Sequence, residues 1–229
     1  MKRAVLFVVF ILVGCGNAPQ IGDEYMGAKY INDPLGEGRA PDSDPLIRDD
    51  AFDCTTFVET VLAHGDVDTL NKIRYKNGKI DFINRNHFIE TDWLPNNSNI
   101  VKNVSAQYGQ TALRYVVINR AAWLRRMHNI DSDTAVVATD IEYIPYDNIT
   151  TLKTDRPMIV LFIVGNTGKS DIIGTDLAVV HMGFLMPNGM LRHASSTAER
   201  VVDVPVSEYI ADRRQNKNNL GITLLEILK

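Results

Sequence analysis

Apolar residues recur with a helical period in the first half of the chain. After Cys54 they stand one, three and four positions apart, which predicts one buried face of a helix. These residues are Phe57, Val58, Val61 and Leu62. Gly65 follows them, and glycine favours the left-handed conformation in which many helices end. The pattern therefore predicts a helix that begins near Cys54 and stops just before Gly65.

The rest of the first half predicts shorter elements. Apolar residues at helical spacing predict helices over residues 66–75, 98–108 and 121–128. Residues 85–97 are polar and aromatic and end in Pro-Asn-Asn, so they predict a loop. Residues 113–118 alternate in the manner of a strand.

From Met158 onward the pattern changes to short, strongly apolar segments that are typical of strands. They lie at residues 158–164, 177–186, 190–194, 200–204 and 222–228. The Asn188-Gly189 pair favours a tight hairpin turn. Closing that turn pairs Pro187 with Met190, so that residues whose numbers sum to 377 oppose each other. Helices followed by such strands predict an α+β fold, with helices packed on an antiparallel sheet.

Composition narrows the class of protein. The chain has 229 residues, of which 45% are apolar and 23% charged, as in an ordinary globular protein. A formal net charge of −4 and a pI near 5.7 provide no basic face for nucleic acid. Without a leader, the chain is long enough for one sizeable domain with an insertion or for two small domains.

The first fourteen residues have the features of an export signal. Lys2 and Arg3 form a short positive region, and residues 4–13 are an uncharged apolar run. The run is far shorter than the roughly 20 residues of a membrane-spanning helix. It leads into Gly14-Cys15, the pattern of a bacterial lipoprotein signal. We expect residues 1–14 to be a lipoprotein signal peptide and Cys15 to be the lipidated N-terminus; an ordinary signal peptide with a coincidental cysteine is the alternative.

The residues after Cys15 bear on location. Gly16 stands where an aspartate commonly retains lipoproteins at the inner membrane. In a Gram-negative host this favours a lipid anchor in the outer membrane that faces the periplasm, so we expect a protein of the cell envelope. Residues 15–50 then form the lipidated N-terminus and a segment rich in Gly, Pro and Asp, which predicts irregular loop. Loops of that length are typically functional or disordered.

Cys54 is the first candidate for chemistry. The chain has two cysteines, and lipidation of Cys15 leaves Cys54 as the only free thiol. An unpaired cysteine in an exported protein is a liability unless it has a function. Its place at a helix start favours the thiolate, because unpaired backbone N–H groups and the helix dipole lower a thiol pKa. A buried, inert cysteine is the alternative.

Two histidines on one predicted hairpin are the second feature. His181 and His193 stand on opposite arms of the Asn188-Gly189 turn. In the predicted register they are offset by three pairs along the strands. A one-residue bulge changes which face each side chain occupies, so the register does not establish that both rings enter one site.

These segments together resemble the NlpC-type cysteine peptidase superfamily of cell-wall hydrolases. The similarity lies in Asp53-Cys54-Thr55-Thr56 at a helix start, in His181-Met182-Gly183-Phe184-Leu185 and His193-Ala194-Ser195, and upstream in Tyr25-Met26-Gly27-Ala28-Lys29-Tyr30. Other segments look like its N-acetylmuramoyl-L-alanine amidase-like branch. They are Ile73-Arg74-Tyr75, Arg85-Asn86-His87-Phe88, Asp92-Trp93 and Asp33-Pro34-Leu35-Gly36-Glu37-Gly38. The resemblance covers nearly the whole mature chain.

The resemblance implies a papain-like NlpC-type α+β fold. Residues 51–229 would be the catalytic domain, with a largely helical insertion at about residues 66–150. The implied substrate is peptidoglycan or a muropeptide, cut at the amide between N-acetylmuramic acid and L-alanine. We expect a monomer that needs no cofactor or metal.

The resemblance also assigns roles to residues. Cys54 would be the nucleophile, its thiolate favoured by an imidazolium at His181, which would later protonate the leaving amine. His193 would orient His181 through the other ring nitrogen. Tyr30 would border the site or be a buried aromatic residue. Trp93 could stack on a sugar, with Asp92 or His87 bonding hydroxyls; equally, Trp93 could be a core aromatic residue that anchors a loop.

Other functions stay open. The closest is an NlpC-type endopeptidase that cuts the stem peptide after D-glutamate. A lipoprotein that binds muropeptide without cleaving it would keep the fold but would not need Cys54, His181 and His193 together. A zinc hydrolase using the two histidines is conceivable, but no His-x-x-x-His pattern or glutamate ligand pattern supports it.

Overall fold

The computed structural model describes residues 20–166, 168 and 170–228. Cys15 and the expected signal peptide, residues 1–14, lie outside this range. Within it, none of the helices has both the length and the apolar character needed to cross a membrane.

The described chain contains helices α1 to α6 and strands β1 to β10. The helices are α1 (Cys54–Ala63), α2 (Val67–Arg74), α3 (Leu94–Asn96), α4 (Arg120–His128), α5 (Ser170–Ile173) and α6 (Val206–Arg213). The strands are β1 (Lys29–Tyr30), β2 (Ala51–Phe52), β3 (Val101–Asn103), β4 (Ala112–Ile118), β5 (Val137–Pro145), β6 (Met158–Val164), β7 (Val179–Leu185), β8 (Met190–Ser195), β9 (Arg200–Pro205) and β10 (Asn219–Ile227). A π-helical turn at Ile89–Trp93 leads directly into α3.

The strands join in one sheet with the order β2-β1-β9-β8-β7-β6-β10-β5-β4, and β3 also pairs with β10. The short β1–β2 pair is parallel, and the other pairs are antiparallel. Helix α1 packs on β7 and β8. The predicted α+β fold with helices packed on an antiparallel sheet is therefore confirmed.

Strand β6 lies at the centre because both of its faces are apolar. All seven of its residues are buried. Ile159 and Leu161 belong to the larger hydrophobic cluster, to which α1 contributes its buried face. Val160 and Phe162 point to the opposite side, where Ile210 of α6 packs. The sheet is thus covered by α1 on one face and by α6 on the other.

Helix α1 begins where its sequence places a capping box. The Asp53 carboxylate accepts the Thr56 N–H at 2.8 Å, and the Thr56 hydroxyl accepts the Asp53 N–H at 3.0 Å. These two bonds satisfy backbone donors that a helix start leaves unpaired. The helix ends at His64, whose φ of 50° is left-handed, and Gly65 follows. Cys54 is therefore the first residue of α1.

The prediction that the insertion at about residues 66–150 is largely helical needs correction. Residues 66–150 contain β3, β4 and β5 as well as helices. The helix predicted over residues 98–108 is wrong, because Val101–Asn103 pairs with β10 and only a short 3-10 turn follows. The loop predicted over residues 85–97 is partly helical, since it contains the π-helical turn and α3. Pairing with a distant strand decides β3, and local spacing does not show it.

Candidate active site

The hairpin of β7 and β8 has a register one residue away from the predicted one. Phe184 pairs with Arg192 and Leu185 with Leu191, so opposing numbers sum to 376 and not to 377. The loop is three residues long, and Gly189 in it has a φ of 80°, which a side chain would disfavour. The predicted two-residue turn is therefore wrong.

The shift by one residue brings both histidines to the same face of the sheet. Continuing the observed register places His181 opposite Ser195 and His193 opposite Gly183, on one side of the pleat. The Nε2 atom of His181 lies 2.7 Å from the Nδ1 atom of His193. In the predicted register the two rings would have pointed to opposite faces. The turn thus brings His181 and His193 into contact. We call these two residues the histidine pair.

Cys54 approaches this pair from α1. Along β7, the backbone of Met182 lies close enough to the Cys54 thiol to favour the thiolate and lower the thiol pKa. His181 directly precedes Met182, so the thiol lies beside the residue that follows the inner histidine. Helix start and hairpin therefore place Cys54, His181 and His193 in one region.

The electrostatics differ from the expected thiolate–imidazolium pair. Burial, followed by the nearby Asp53 carboxylate, raises the pKa of Cys54 to about 12, although backbone hydrogen bonds pull it down. Burial lowers the pKa of His181 to about 3 and that of His193 to about 4. At neutral pH the resting site therefore holds a thiol and two neutral imidazoles. Desolvation outweighs the helix N-terminus here.

Helix α6 contributes residues that the sequence analysis did not single out. The Tyr209 ring centroid lies 5.2 Å from that of His193 and 5.9 Å from that of His181. Arg213 lies one turn further along α6. A cavity of about 250 Å3 opens here, lined by the histidine pair, Tyr209, Arg213 and the hydroxyl residues after β8. The spacing of Val206, Tyr209 and Ile210 is helical and could have revealed the element, but not that it covers the histidines.

A buried carboxylate in the insertion holds the start of β7. One oxygen of Glu90 accepts the N–H groups of Ala178 at 2.7 Å and Val179 at 2.6 Å. Immediately afterwards the β6–β7 register shifts, because Ile163 opposes Val179 whereas Phe162 opposes His181. Glu90 therefore fixes the backbone two residues before His181. The insertion thus supports directly the strand that carries His181.

Two of the predicted substrate-binding residues border the region of the thiol. Tyr30 is half-buried, and its phenol pKa is raised mainly by burial, and further by Cys54 and Asp53 nearby when these groups are ionised. His87 lines a cavity of about 120 Å3 together with Asp53 and Thr55 at the start of α1. Its Nε2 lies 2.7 Å from the carbonyl oxygen of Phe82, which leaves Nδ1 to face other partners.

The other two predicted residues do not lie there. Trp93 is fully buried, and its indole N–H donates to Glu59 at 3.1 Å, so neither ring face can stack on a sugar. This corrects the stacking role and matches the alternative of a core aromatic residue. Asp92 forms an ion pair with Arg120 at 3.1 Å and lines a different cavity from that of His87. Its carboxylate is engaged within the insertion.

A second buried polar group lies on the other side of the α1 start. We call it the arginine cluster: two guanidinium groups and the carboxylates that they bind, namely Arg74, Arg85, Asp33, Glu37, Asp42 and Glu59. Arg85 binds Glu37 through two hydrogen bonds of 2.9 and 2.8 Å and Asp42 through one of 2.6 Å. Arg74 also donates to the Leu35 carbonyl. These bonds fasten the predicted loop to the insertion.

In residues 20–166, 168 and 170–228, no group of three or more His, Cys, Asp or Glu side chains is arranged to hold a metal ion. The carboxylates of Asp33, Glu37 and Asp42 are bound by Arg85 instead.

Comparison with known proteins agrees with this architecture. The model of the AmiA-like family, described as N-acetylmuramoyl-L-alanine amidase-like, matches residues 20–220. Among curated proteins, no match to this chain was found.

Solved structures of similar fold cover nearly the whole chain. A Legionella pneumophila protein of the DUF1460 family is 27% identical, with a TM-score of 0.82 over 91% of this chain and 87% of that one. An N-acetylmuramoyl-L-alanine amidase from Bacteroides uniformis is 25% identical, with a TM-score of 0.70 over 91% and 96%. A putative xylanase from Bacteroides fragilis, 23% identical with a TM-score of 0.69 over 90% and 98%, shares the fold.

Proposed function

Because this chain belongs to the AmiA-like family of N-acetylmuramoyl-L-alanine amidase-like proteins, we propose that it is a cysteine-dependent amidase of the cell wall. The family and its neighbours that are named amidases support a cell-wall hydrolase in general. The proposal adds an NlpC-type site with Cys54 as nucleophile, His181 as base and His193 as orienting residue. It also adds the bond, which is the amide between N-acetylmuramic acid and L-alanine.

The contact between the two imidazoles carries the proposal. A 2.7 Å hydrogen bond between His181 Nε2 and His193 Nδ1 leaves Nδ1 of His181 for the nucleophile. For that nitrogen to accept a proton, the His181 hydrogen must sit on Nε2 and be donated to His193. His193 then carries its own hydrogen on Nε2.

The charge states favour proton transfer during attack over a preformed ion pair. The resting thiol is neutral, since its pKa is raised to about 12. As the sulfur of Cys54 bonds to the amide carbon, its proton passes to His181 Nδ1, and negative charge moves to the carbonyl oxygen. His181 then delivers that proton to the leaving nitrogen as the C–N bond breaks. Water, deprotonated by His181, hydrolyses the thioester and restores the thiol.

The start of α1 offers donors for the oxyanion. The capping box occupies the N–H groups of Asp53 and Thr56. Among the described residues, the N–H groups of Cys54 and Thr55 have no oxygen acceptor. Such donors, placed where charge develops, each contribute a few kcal/mol to lowering the barrier. Cys54 N–H is the nearest to the reacting carbon because it belongs to the nucleophile itself.

The muramoyl sugar is the expected partner on the acyl side of the bond. Tyr30 and His87 lie near the thiol, on the side of the insertion and of the loop held by the arginine cluster. A minimal cysteine hydrolase has no need of these extra walls, and they make room to grip a substrate beyond the scissile amide. Binding energy from the sugar would then position the lactyl carbonyl, so its removal costs rate as well as affinity.

The test compares two substrates with one enzyme. Mass spectrometry of a muramoyl-tetrapeptide digest is expected to show free tetrapeptide, whereas the free tetrapeptide alone stays intact. Cys54→Ala is the matched control and should show no product in either case. If the free peptide is instead split after D-glutamate, the protein is an endopeptidase. If neither is cut but the muropeptide binds, it is a binding lipoprotein.

We also propose that the protein acts as a monomer anchored in the outer membrane through lipid on Cys15. The support is the leader pattern, Lys2-Arg3 followed by an apolar run and Gly14-Cys15. Cells fed a labelled fatty acid are expected to label the native protein but not a Cys15→Ser variant. Equal labelling of both would remove the lipoprotein assignment without touching the amidase.

A further inference from the structure

A cation lies behind the histidine pair, on the face of the sheet away from α1. The guanidinium carbon of Arg213 sits 5.1 Å from the ring centroid of Phe162 and 5.8 Å from that of Tyr209. Both rings are neighbours of His181, with centroid distances of 5.7 and 5.9 Å. The positive charge is thus one aromatic layer away from the inner imidazole.

No carboxylate neutralises this charge. Arg213 Nη2 donates to the side-chain oxygen of Asn219 at 3.0 Å, and the Asn219 amide donates back to the Arg213 carbonyl at 2.7 Å. Within the described residues Arg213 forms no ion pair, and its Nε lacks an acceptor. Asp212 lines the cavity beside the histidine pair but forms no bond with Arg213. A partly buried cation with neutral partners acts on whatever titratable group lies nearest.

Apart from the exposed Asp212, the other charged and titratable groups around the histidine pair are either compensated or neutral. On β9, the Asp203 carboxylate raises the pKa of His193, but both of its oxygens are bonded by Arg192. On α1, Cys54 is an uncharged thiol at neutral pH. On α6, burial raises the pKa of the Tyr209 phenol, which stays neutral. Of these groups, Arg213 is the charge without a counter-ion, and it also lowers the pKa of His181.

We propose that Arg213 is a positioning residue, which adds to the effect of burial in keeping His181 neutral and so ready to accept the Cys54 proton. The inference rests on the proposed amidase, because it concerns the same histidines. The guanidinium acts on His181 through space and through the packed rings of Phe162 and Tyr209. Arg85 differs from Arg213, because three carboxylates surround its guanidinium group.

The first measurement is the pH dependence of kcat/KM on muramoyl-tetrapeptide. Activity falls on the acid side when His181 takes up a proton, so a higher His181 pKa moves that limb to higher pH. Loss of the charge in Arg213→Gln is expected to move it by about 0.5 to 1 unit. Arg213→Lys keeps the charge and should keep the limb. Arg214→Gln removes a charge one residue away, beside Tyr146, and should not move it.

A second measurement does not depend on turnover. Nitrogen-15 NMR of the imidazoles, in the Cys54→Ala background and over the pH range of the native fold, follows His181 and His193 directly. The same upward shift is expected in Arg213→Gln and in Arg213→Met, which keeps packing on the rings. Asn219→Asp, which would place a carboxylate on the guanidinium, should act in the same direction.

The outcomes separate the two proposals. If no variant cleaves the muramoyl substrate, the amidase fails, and the NMR titration alone decides the role of Arg213. If Arg213→Gln and Arg213→Met both leave the two imidazole titrations unchanged, the positioning role is overturned even in an active amidase. A loss of activity in these variants without any shift in pH dependence would likewise overturn it, because that result indicates a structural role only.

Discussion

The histidine pair and the arginine cluster flank the same helix start, yet they avoid buried charge in opposite ways. In the pair, burial lowers both pKa values to about 3 and 4, so the imidazoles lose their protons. In the cluster, Arg85 keeps its charge and is bound by the carboxylates of Glu37 and Asp42. A neutral group can accept a proton, whereas a matched ion pair cannot do so without breaking. The histidine pair is therefore suited to the proposed proton transfer, whereas the arginine cluster is suited to holding the loop in place.

The largest effect is expected from removing His181, the proposed base. His181→Ala should lower kcat/KM by about 10⁴-fold or more. When several residues act as one catalytic unit, removing any one of them removes nearly all of the rate acceleration that the unit provides. The measurement is release of tetrapeptide from the muramoyl substrate, with circular dichroism as a check on the fold. His64→Asn, at the exposed end of α1, is the matched control and should keep full activity. Retained activity in His181→Ala would remove the histidine pair from the reaction.

The opposite result is expected from the arginine cluster. Arg85→Met keeps the volume but leaves Glu37 and Asp42 without their cation, so the free energy of unfolding should fall by about 3 to 5 kcal/mol. Urea titration at pH 7 measures it. Arg125→Met, at an exposed ion pair with Asp131, is the control and should leave the midpoint nearly unchanged. An equally small loss in Arg85→Met would mean that the cluster does not hold the loop.

A smaller effect separates orientation from proton transfer within the pair. His193→Asn and His193→Gln can still accept the Nε2–H of His181, whereas His193→Ala cannot. Loss of that acceptor should cost about 2 to 3 kcal/mol of transition-state stabilisation, or roughly 30- to 150-fold in kcat/KM, and the amides should recover much of it. Equal, full activity in all three variants would show that His193 does not orient the base.

How far the sequence predicts the two regions follows from the same comparison. The residues of the histidine pair are recognisable from motif and hairpin, but their shared face is not. It depends on a three-residue turn in place of a two-residue one, and a single residue moves His193 to the other side. Tyr209 and Arg213 belong to α6, and the sequence does not show that α6 packs beside the histidines. Tertiary packing supplies this information, and local spacing does not carry it.

The insertion teaches the same lesson for burial. Trp93 and His87 stand six residues apart in one motif, but Trp93 is sealed in the core against Glu59 while His87 lines a cavity. Sequence alone does not separate an aromatic residue that binds from one that packs. Glu90 lies between them and clamps β7, a role that needs the distant strand to be in place. The helix of Cys54, by contrast, is local, and its apolar spacing and the following Gly65 predict it from the sequence.

The last prediction uses pH to set the two regions against each other. The buried histidines have pKa values below the unfolded value of about 6.5, so below that pH the unfolded chain binds more protons and stability falls as the pH is lowered. Burial raises the pKa of Glu59 in the arginine cluster to about 7, against the pull of Arg74. Between about pH 4.5 and 7 the fold keeps a proton there that the unfolded chain has lost, so stability falls as the pH rises.

In this shared window the two effects oppose each other, each at most about 1.4 kcal/mol per pH unit and per group. Two histidines outweigh one carboxyl group, so the native protein should still lose stability on acidification between pH 5 and 6.5, with a slope of about one group's contribution or less. His181→Asn with His193→Asn should leave a protein that grows more stable on mild acidification. Glu59→Gln should leave one that loses stability more steeply, whatever its stability at pH 7. Urea unfolding across this range measures the slopes. The same slope in both variants would mean that the charge states at the two sides of Cys54 do not differ.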